Sequence, residues 1–497
     1  MPDTPPSAPE DGIGRTGDYL SFHAAFRPQA TALADAGETL TFDALQDRVR
    51  KTIGALTNLG VRPGDFACVE WTGLLDHMPL LLALENLGAA SATFLHDAQP
   101  QDNAQILQNA ALIFVDRFAQ GDLPGRRVRI DAVTGDGPDD TAPLPDTPID
   151  PTSVFRMVTS SGTTGAPKVI AITLSQTERR LEVIQWMVGY SSHSRFVHSM
   201  PYTFQGAHFQ AMTCLRAGGV NIHVTVTDFW RALSALKATH TAVLPFHFTQ
   251  LQSDDMLRTL PEGLTITSYG GPVPDPMRAR FQQIRPDVRL FETYATNELG
   301  TIAVRLTDGS YRSCPGSEVQ IVDDTHRPLP PGTQGTVRIR KTGMVAGYVY
   351  DPRASAEKFR DGWFYPGDIG VQPDETRFRV LGREDTLMNV GGVKFSAEEH
   401  ERALTALPEI SDACLLTRPN ARGENEIWVV LVKKDDLPLD ALGKLVAEAL
   451  PSLIGNIVLI TTKQIPRTTS GKIRRQALHE ALDRMKAPLQ GGFGSSA

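Results

Sequence analysis

Thr159-Ser-Ser-Gly-Thr-Thr-Gly-Ala-Pro-Lys168 follows directly on Ser153-Val-Phe-Arg-Met-Val158, a short run of the kind that forms a strand. Small residues in such a loop let backbone N–H groups approach phosphate oxygens, and the hydroxyls add further donors. The stretch is not a Walker A loop. That motif needs Gly, four residues and then Gly-Lys, and the place of the second Gly after Gly162 is taken by Pro167. Composition alone leaves two readings open, a phosphate cradle and a plain surface Ser/Thr/Gly loop.

Strands and helices alternate around this segment. Residues 41–59 place Leu45, Val49, Ile53 and Leu56 on one helical face, with Gly60 as C-cap. After the turn Pro63-Gly64-Asp65, Phe66-Ala-Cys-Val69 reads as a buried strand, and a helix follows through Leu80 to Leu87. Further strands are expected at residues 220–226, 242–244 and 264–267, each flanked by helical stretches. This is the pattern of parallel α/β sheets. From about Pro315 the texture changes. Glu318-Val-Gln-Ile-Val322 and Gly335-Thr-Val-Arg-Ile-Arg340 alternate as antiparallel strands do. Past Asp385 a compact α+β segment begins, with Ser396-Ala-Glu-Glu399 as a capping box for a helix to Leu404.

Composition bounds the function. The chain has 497 residues, enough for about three ordinary domains, and 41% hydrophobic against 21% charged residues is globular. With 49 Lys+Arg against 57 Asp+Glu the net charge is −8, which argues against sequence-independent binding to nucleic acid or an anionic membrane. Cys68, Cys214, Cys314 and Cys414 are far apart and form no CxxC pair, which disfavours zinc ribbons, redox dithiols and disulfide scaffolds. The start, Met1-Pro-Asp-Thr-Pro-Pro, lacks the features of a signal peptide. The most apolar stretch, residues 78–95, is broken by Glu85, Asn86 and Gly88 and spans no membrane. A soluble, cytoplasmic protein is expected.

Ser160-Ser-Gly-Thr-Thr-Gly-Ala-Pro-Lys168 resembles the phosphate-binding signature of the acyl-adenylate-forming superfamily: acyl-CoA synthetases, aryl-CoA ligases, firefly luciferase and peptide-synthetase adenylation domains. Further motifs match in the family's order. They are Tyr269-Gly-Gly-Pro272, Tyr294-Ala-Thr-Asn-Glu298, Gly362-Trp-Phe-Tyr-Pro-Gly-Asp368, Leu381-Gly-Arg-Glu-Asp385 and Pro466-Arg-Thr-Thr-Ser-Gly-Lys472. The resemblance covers roughly residues 20–480. It implies an α/β (α+β) fold: a large composite N-terminal domain with parallel α/β sheets and a β-barrel-like part, then a small mobile α+β C-terminal domain. The expected division is a tail at 1–16, an AMP-binding domain at 17–384, the mobile domain at 385–490 and a tail at 491–497.

The implied reaction is attack of a carboxylate on the α-phosphate of ATP, giving an acyl-adenylate and pyrophosphate, followed by thioester formation with coenzyme A. The alternative acceptors are a carrier-protein phosphopantetheine and an amine. An anion must meet a polyanion, so cations and oriented donors are needed where charge develops. By resemblance Lys472 is the catalytic cation, and Glu298 holds Mg²⁺, a hard ion that usually takes one or two carboxylates beside phosphate oxygens. Asp368 and Arg383 reach the ribose, and Ser160, Ser161, Gly162, Thr163, Thr164 and Gly165 cradle phosphate. Lys168 serves phosphate or anchors that loop. Gly270, Gly271 and Pro272 flank the adenine, Tyr294 packs on it, and Asn297 stands where the family has a threonine at the α-phosphate. Asp385 occupies the hinge position, and Gly391, Gly392 and Lys394 lie on the thiol-stage face.

In Met200-Pro-Tyr-Thr-Phe-Gln-Gly-Ala-His208, Phe204 replaces the histidine common in CoA-forming members, and Gln205 stands where amino-acid-activating members carry an aspartate. An α-ammonium would be buried there without a counter-ion, which is costly, so a non-amino carboxylic acid is expected. Phe204, Gln205, His208 and Phe246, with Phe209, His247 and Phe248, are the candidate acid pocket; each aromatic taken singly is also compatible with plain core packing. No HExxH or G-x-S-x-G motif competes with this reading.

Overall fold

The computed structural model describes residues 15–484 apart from 36, 97–99, 117–124, 135–141, 143–149, 161–167, 252, 274, 375, 385–386, 391–392, 420–424, 435–436, 451–456 and 468–472. One six-stranded sheet runs in the order Arg126–Arg129, Leu112–Val115, Phe66–Glu70, Ala90–Phe94, Val154–Ser160, Lys168–Thr173. Its pairs are parallel except the last, which is antiparallel. Phe66–Glu70 and Ala90–Phe94 are buried along their whole length, as parallel strands covered on both faces are. Between these two strands the helix Leu74–Asn86 is buried almost all round. Among the described residues no helix is long and apolar enough to cross a membrane.

The expected helix at 41–59 is Phe42–Asn58, started by the Thr41 hydroxyl, which accepts from the Ala44 N–H at 3.2 Å. Arg15 and Thr16, assigned by sequence to a tail, belong to the packed body. The helix Thr16–Phe26 begins there, and the buried Thr16 N–H donates to Glu85 Oε1 at 2.9 Å. Neither residue carries an apolar signal, so only the tertiary contact with Glu85 reveals them.

The larger sheet changes character within one strand. Parallel strands Thr31–Asp35, Val220–His223, Arg195–His198, His240–Val243 and Thr265–Ser268 lead to Arg289–Thr296. The first half of Arg289–Thr296 pairs in parallel with Thr265–Ser268, and its second half pairs antiparallel with Gly300–Arg305. From there Tyr311–Ser313, Arg377–Arg383, Asp368–Asp374 and Gln334–Lys341 continue antiparallel. The part expected to be barrel-like is therefore hydrogen-bonded into one continuous sheet with the parallel half. Farther along, Ile410–Pro419, Asn425–Lys433 and Ile457–Thr461 form a three-stranded sheet. Leu404, Leu415, Val429, Leu431, Leu442 and Val446 form a core beneath it.

Candidate functional site

The strand that switches from parallel to antiparallel pairing ends at Thr296, and the tight turn that follows carries Asn297 and Glu298. Three residues fix that turn. Arg180, on the helix Leu174–Val188, donates to the Asn297 carbonyl at 2.9 Å and the Glu298 carbonyl at 3.1 Å. The Val345 N–H donates to the Glu298 carbonyl at 3.2 Å, and the Tyr348 hydroxyl donates to Glu298 Oε1 at 2.9 Å. Burial lowers Arg180 to about 10, with Glu298 opposing the shift, so the guanidinium remains charged at neutral pH. Burial and the Glu298 charge both push the Tyr348 phenol up, which keeps it a donor.

Asn297 stitches this turn to the strand Val154–Ser160, its Nδ2 donating to the Thr159 carbonyl at 3.2 Å. Ser160 and Lys168 face each other in register. The Lys168 ammonium stands 5.1 Å from the centroid of the Tyr348 ring, a cation–π distance. The Val349 N–H donates to the Val169 carbonyl at 2.8 Å, tying the segment that carries Tyr348 to the same strand. Lys168, Asn297 and Glu298 are thus gathered at one place. Ser161, Gly162, Thr163, Thr164 and Gly165, with the side chain of Ser160, lie outside the described residues. So do Asp385, Gly391, Gly392 and Lys472, and the side chains of Lys394 and Phe246.

A second group sits farther along the same sheet, past the strands Gly300–Arg305 and Tyr311–Ser313. Asp368 and Arg383 are register partners, with Arg383 Nη1 at 3.5 Å from Asp368 Oδ1. Tyr294 donates its hydroxyl to Asp368 Oδ2, and its ring packs 5.8 Å from both Tyr311 and Phe378. Tyr294, expected against the adenine, is therefore bonded to the carboxylate expected at the ribose. Burial and the nearby Asp368 charge push the Tyr294 phenol up. Glu398, on the helix Ala397–Thr405, is close enough to feel Arg383 and Asp368, and burial raises its pKa.

The Gly pair follows the strand Thr265–Ser268. Gly270 has φ +82°, a conformation that favours glycine, and a Cβ there would stand 3.1 Å from a Leu244 methyl, a tight contact. Across from it, the helix Gln205–Arg216 approaches so closely that a Cβ on Gly206 would fall 2.8 Å from the Tyr269 ring. Phe204 precedes that helix. Gln205 and His208 are buried on it, and Gln205 Nε2 donates to the Tyr202 carbonyl at 3.2 Å. His247 Nε2 lies 3.2 Å from Ser199 Oγ, next to the segment Met200–His208, and the His247 carbonyl accepts from Trp230 Nε1 at 2.8 Å. Phe248 does not join them: it packs between Trp230 and Phe281 in a separate apolar core. A 3-10 turn at Pro245–Gln250 directs it there, which aromatic content alone does not reveal.

Sequence reasoning missed Arg180 and Tyr348. For Arg180 a signal existed, since it shares a helical face with Thr177, Leu181 and Ile184, all buried. Tyr348 had none.

Residues 20–349 match the AMP-binding enzyme family. The chain belongs to that family. It is similar to a 4-chlorobenzoate–CoA ligase of Arthrobacter sp., 26% identical over 94% of this chain and 95% of the relative. A feruloyl-CoA synthase of Amycolatopsis sp. is 25% identical over 92% of this chain and 97% of its own length. Among solved structures, o-succinylbenzoate CoA synthetase of Bacillus subtilis, in complex with an acyl-adenylate, superposes with a TM-score of 0.83. It is 18% identical and covers 93% of this chain and 97% of that one, a likeness of fold. The AMP-binding match includes the phosphate-loop strand, the Gly270–Pro272 turn and the Asn297–Glu298 turn, but ends before Asp368 and Arg383.

Proposed function

We propose that this protein is an AMP-forming acid–thiol ligase: it activates a carboxylic acid with ATP as the acyl-adenylate, releases pyrophosphate, and passes the acyl group to coenzyme A. The observation that carries the reading is the Asn297–Glu298 turn, locked by Arg180 and Tyr348 and bonded to the phosphate-loop strand, within a chain of the AMP-binding family. The names of the 4-chlorobenzoate and feruloyl relatives, which align over almost their full lengths, support the thioester step.

In this reading the loop at 160–168 holds the phosphates, and Asp368 with Arg383 receives the ribose hydroxyls. Glu298 suits a Mg²⁺ ion: it is a buried carboxylate with one oxygen held by Tyr348. Among the described residues no three acidic, His or Cys side chains converge, so phosphate oxygens and water would supply the remaining ligands. Such an ion neutralises phosphate charge as pyrophosphate leaves. The boundary near 385, with Asp385 as hinge, lets the C-terminal segment deliver Lys472 for adenylation and Gly391, Gly392 and Lys394 for the thiol step. The cytoplasm, where coenzyme A and ATP are available, is the proposed site of action.

Two measurements test this. An ATP–pyrophosphate exchange screen over short, medium, aromatic and amino acids is expected to select a non-amino acid; no exchange with any acid overturns the reading. With the selected acid, coenzyme A is expected to consume the adenylate faster than a holo-carrier protein or simple amines, and the reverse order reassigns the acceptor. Asp368→Asn keeps the shape but loses the charged acceptor, and should raise the KM for ATP about tenfold, the cost of one hydrogen bond to a charged group. An unchanged KM removes Asp368 from the nucleotide site.

A further inference from the structure

Arg156 lies on the strand Val154–Ser160, four residues ahead of Ser160, and is wholly buried. Its guanidinium donates to Ser91 Oγ at 3.2 Å, Thr93 Oγ1 at 2.7 Å and the Tyr202 carbonyl at 2.9 Å, all uncharged acceptors. Its Nε has no partner, and among the described residues no carboxylate bonds to it. The titratable groups around it are neutral as well. Burial holds His77 down at about 3 and His208 well below its ordinary value, and keeps the Tyr202 phenol and Cys68 thiol protonated. Arg216, buried to a similar degree, shows the usual arrangement, with Glu178 Oε1 at 2.5 Å and Glu85 at 3.9 Å. A buried charge left without a counter-ion is expensive, so its persistence calls for a reason.

The location supplies one. The Tyr202 carbonyl that accepts from Arg156 also accepts from Gln205, the first residue of the helix Gln205–Arg216. Along the chain, the same strand runs into the phosphate loop. The cation is therefore bonded to the carbonyl at the start of the helix that carries Gln205 and His208 and rides the strand that leads to Ser160, the two elements beside which, on the adenylation reading above, a carboxylate and a triphosphate must meet. The N–H groups at the start of that helix add potential of the same sign. Neutral acceptors satisfy the guanidinium's N–H groups without cancelling its charge, and in a dry interior that charge acts over a longer range than in water. We propose that Arg156 is a positioning residue kept unneutralised on purpose: its field lowers the cost of bringing the acid's carboxylate against the ATP phosphates, without contact with either.

Two variants separate field from brace. Arg156→Gln keeps hydrogen-bonding capacity and loses the charge; Ser91→Ala with Thr93→Val keeps the charge and removes two of its three acceptors. Exchange is measured with the acid that reacts fastest in wild-type protein, and binding is measured for ATP and for uncharged adenosine. Arg156→Gln should lose about tenfold or more in kcat/KM for the acid and weaken ATP but not adenosine, while Ser91→Ala with Thr93→Val stays within about threefold of wild type. Equal losses in the two variants, a wild-type Arg156→Gln, or adenosine weakened as much as ATP would overturn the proposal. If Arg156→Gln does not fold, Arg156→Lys is followed across pH, since a lysine buried there loses its proton more readily than the arginine. A field role makes its exchange fall as pH rises relative to wild type, and a loss that is the same at every pH marks a brace and overturns the proposal. A wild type inactive with every acid overturns the adenylation reading itself, a separate outcome.

Discussion

Glu298→Gln is expected to lower ATP–pyrophosphate exchange by about a hundredfold or more and to raise the Mg²⁺ concentration needed for half-maximal rate. The substitution is nearly isosteric. The amide oxygen still accepts from the Tyr348 hydroxyl at the position Glu298 Oε1 now holds, and Arg180 still binds the two backbone carbonyls. Fold and turn should survive, and the melting temperature should move little. What disappears is the negative charge that a hard cation requires. Tyr348→Phe is the control: it removes the hydroxyl that orients the carboxylate but leaves the charge, and should cost only about three- to tenfold. If Glu298→Gln and Tyr348→Phe are equally mild, Glu298 is a structural acid and no cation ligand.

Lys472→Ala should remove adenylation, by about a thousandfold in exchange rate, while ATP binding stays within about twofold of wild type. In the transition state negative charge gathers between the attacking carboxylate and the α-phosphate, and a cation that arrives only for that step stabilises the transition state more than bound ATP. Fluorescent nucleotide titration gives the binding arm and pyrophosphate exchange the rate arm. Near-normal exchange in Lys472→Ala would sink the assignment. Hydrolysis of preformed acyl-adenylate should be much less affected, because that step no longer joins two anions.

How much was legible beforehand depended on whether a residue's job is local. The helix Phe42–Asn58 and its Thr41 cap followed from spacing and one hydroxyl, both features of a few consecutive residues. The phosphate-loop strand and the Asp368 turn were legible as motifs. Tyr348 was not, because its partner Glu298 is fifty residues away and no periodicity links them. Phe248 was misplaced because aromatic content does not say which of two neighbouring cores a 3-10 turn will feed. Arg156 was quoted as part of a strand and nothing more, since a lone arginine there is indistinguishable from an edge-strand solubiliser.

By itself, the sequence determined the class of chemistry: a hydroxyl- and glycine-rich loop after a strand, a Tyr-Ala-Thr-Asn-Glu turn and a terminal lysine motif, each a local arrangement whose backbone needs are written in consecutive residues. Only the tertiary structure decided how the strand ahead of that loop and the Asn297–Glu298 turn meet. The switch from parallel to antiparallel pairing within Arg289–Thr296 sets Glu298 where Arg180, Tyr348 and the phosphate-loop strand converge. The same packing leaves Arg156 among neutral groups while Arg216 finds two carboxylates. Pairing and counter-ion choice depend on which distant side chains share a dry space, and distance along the chain does not encode that.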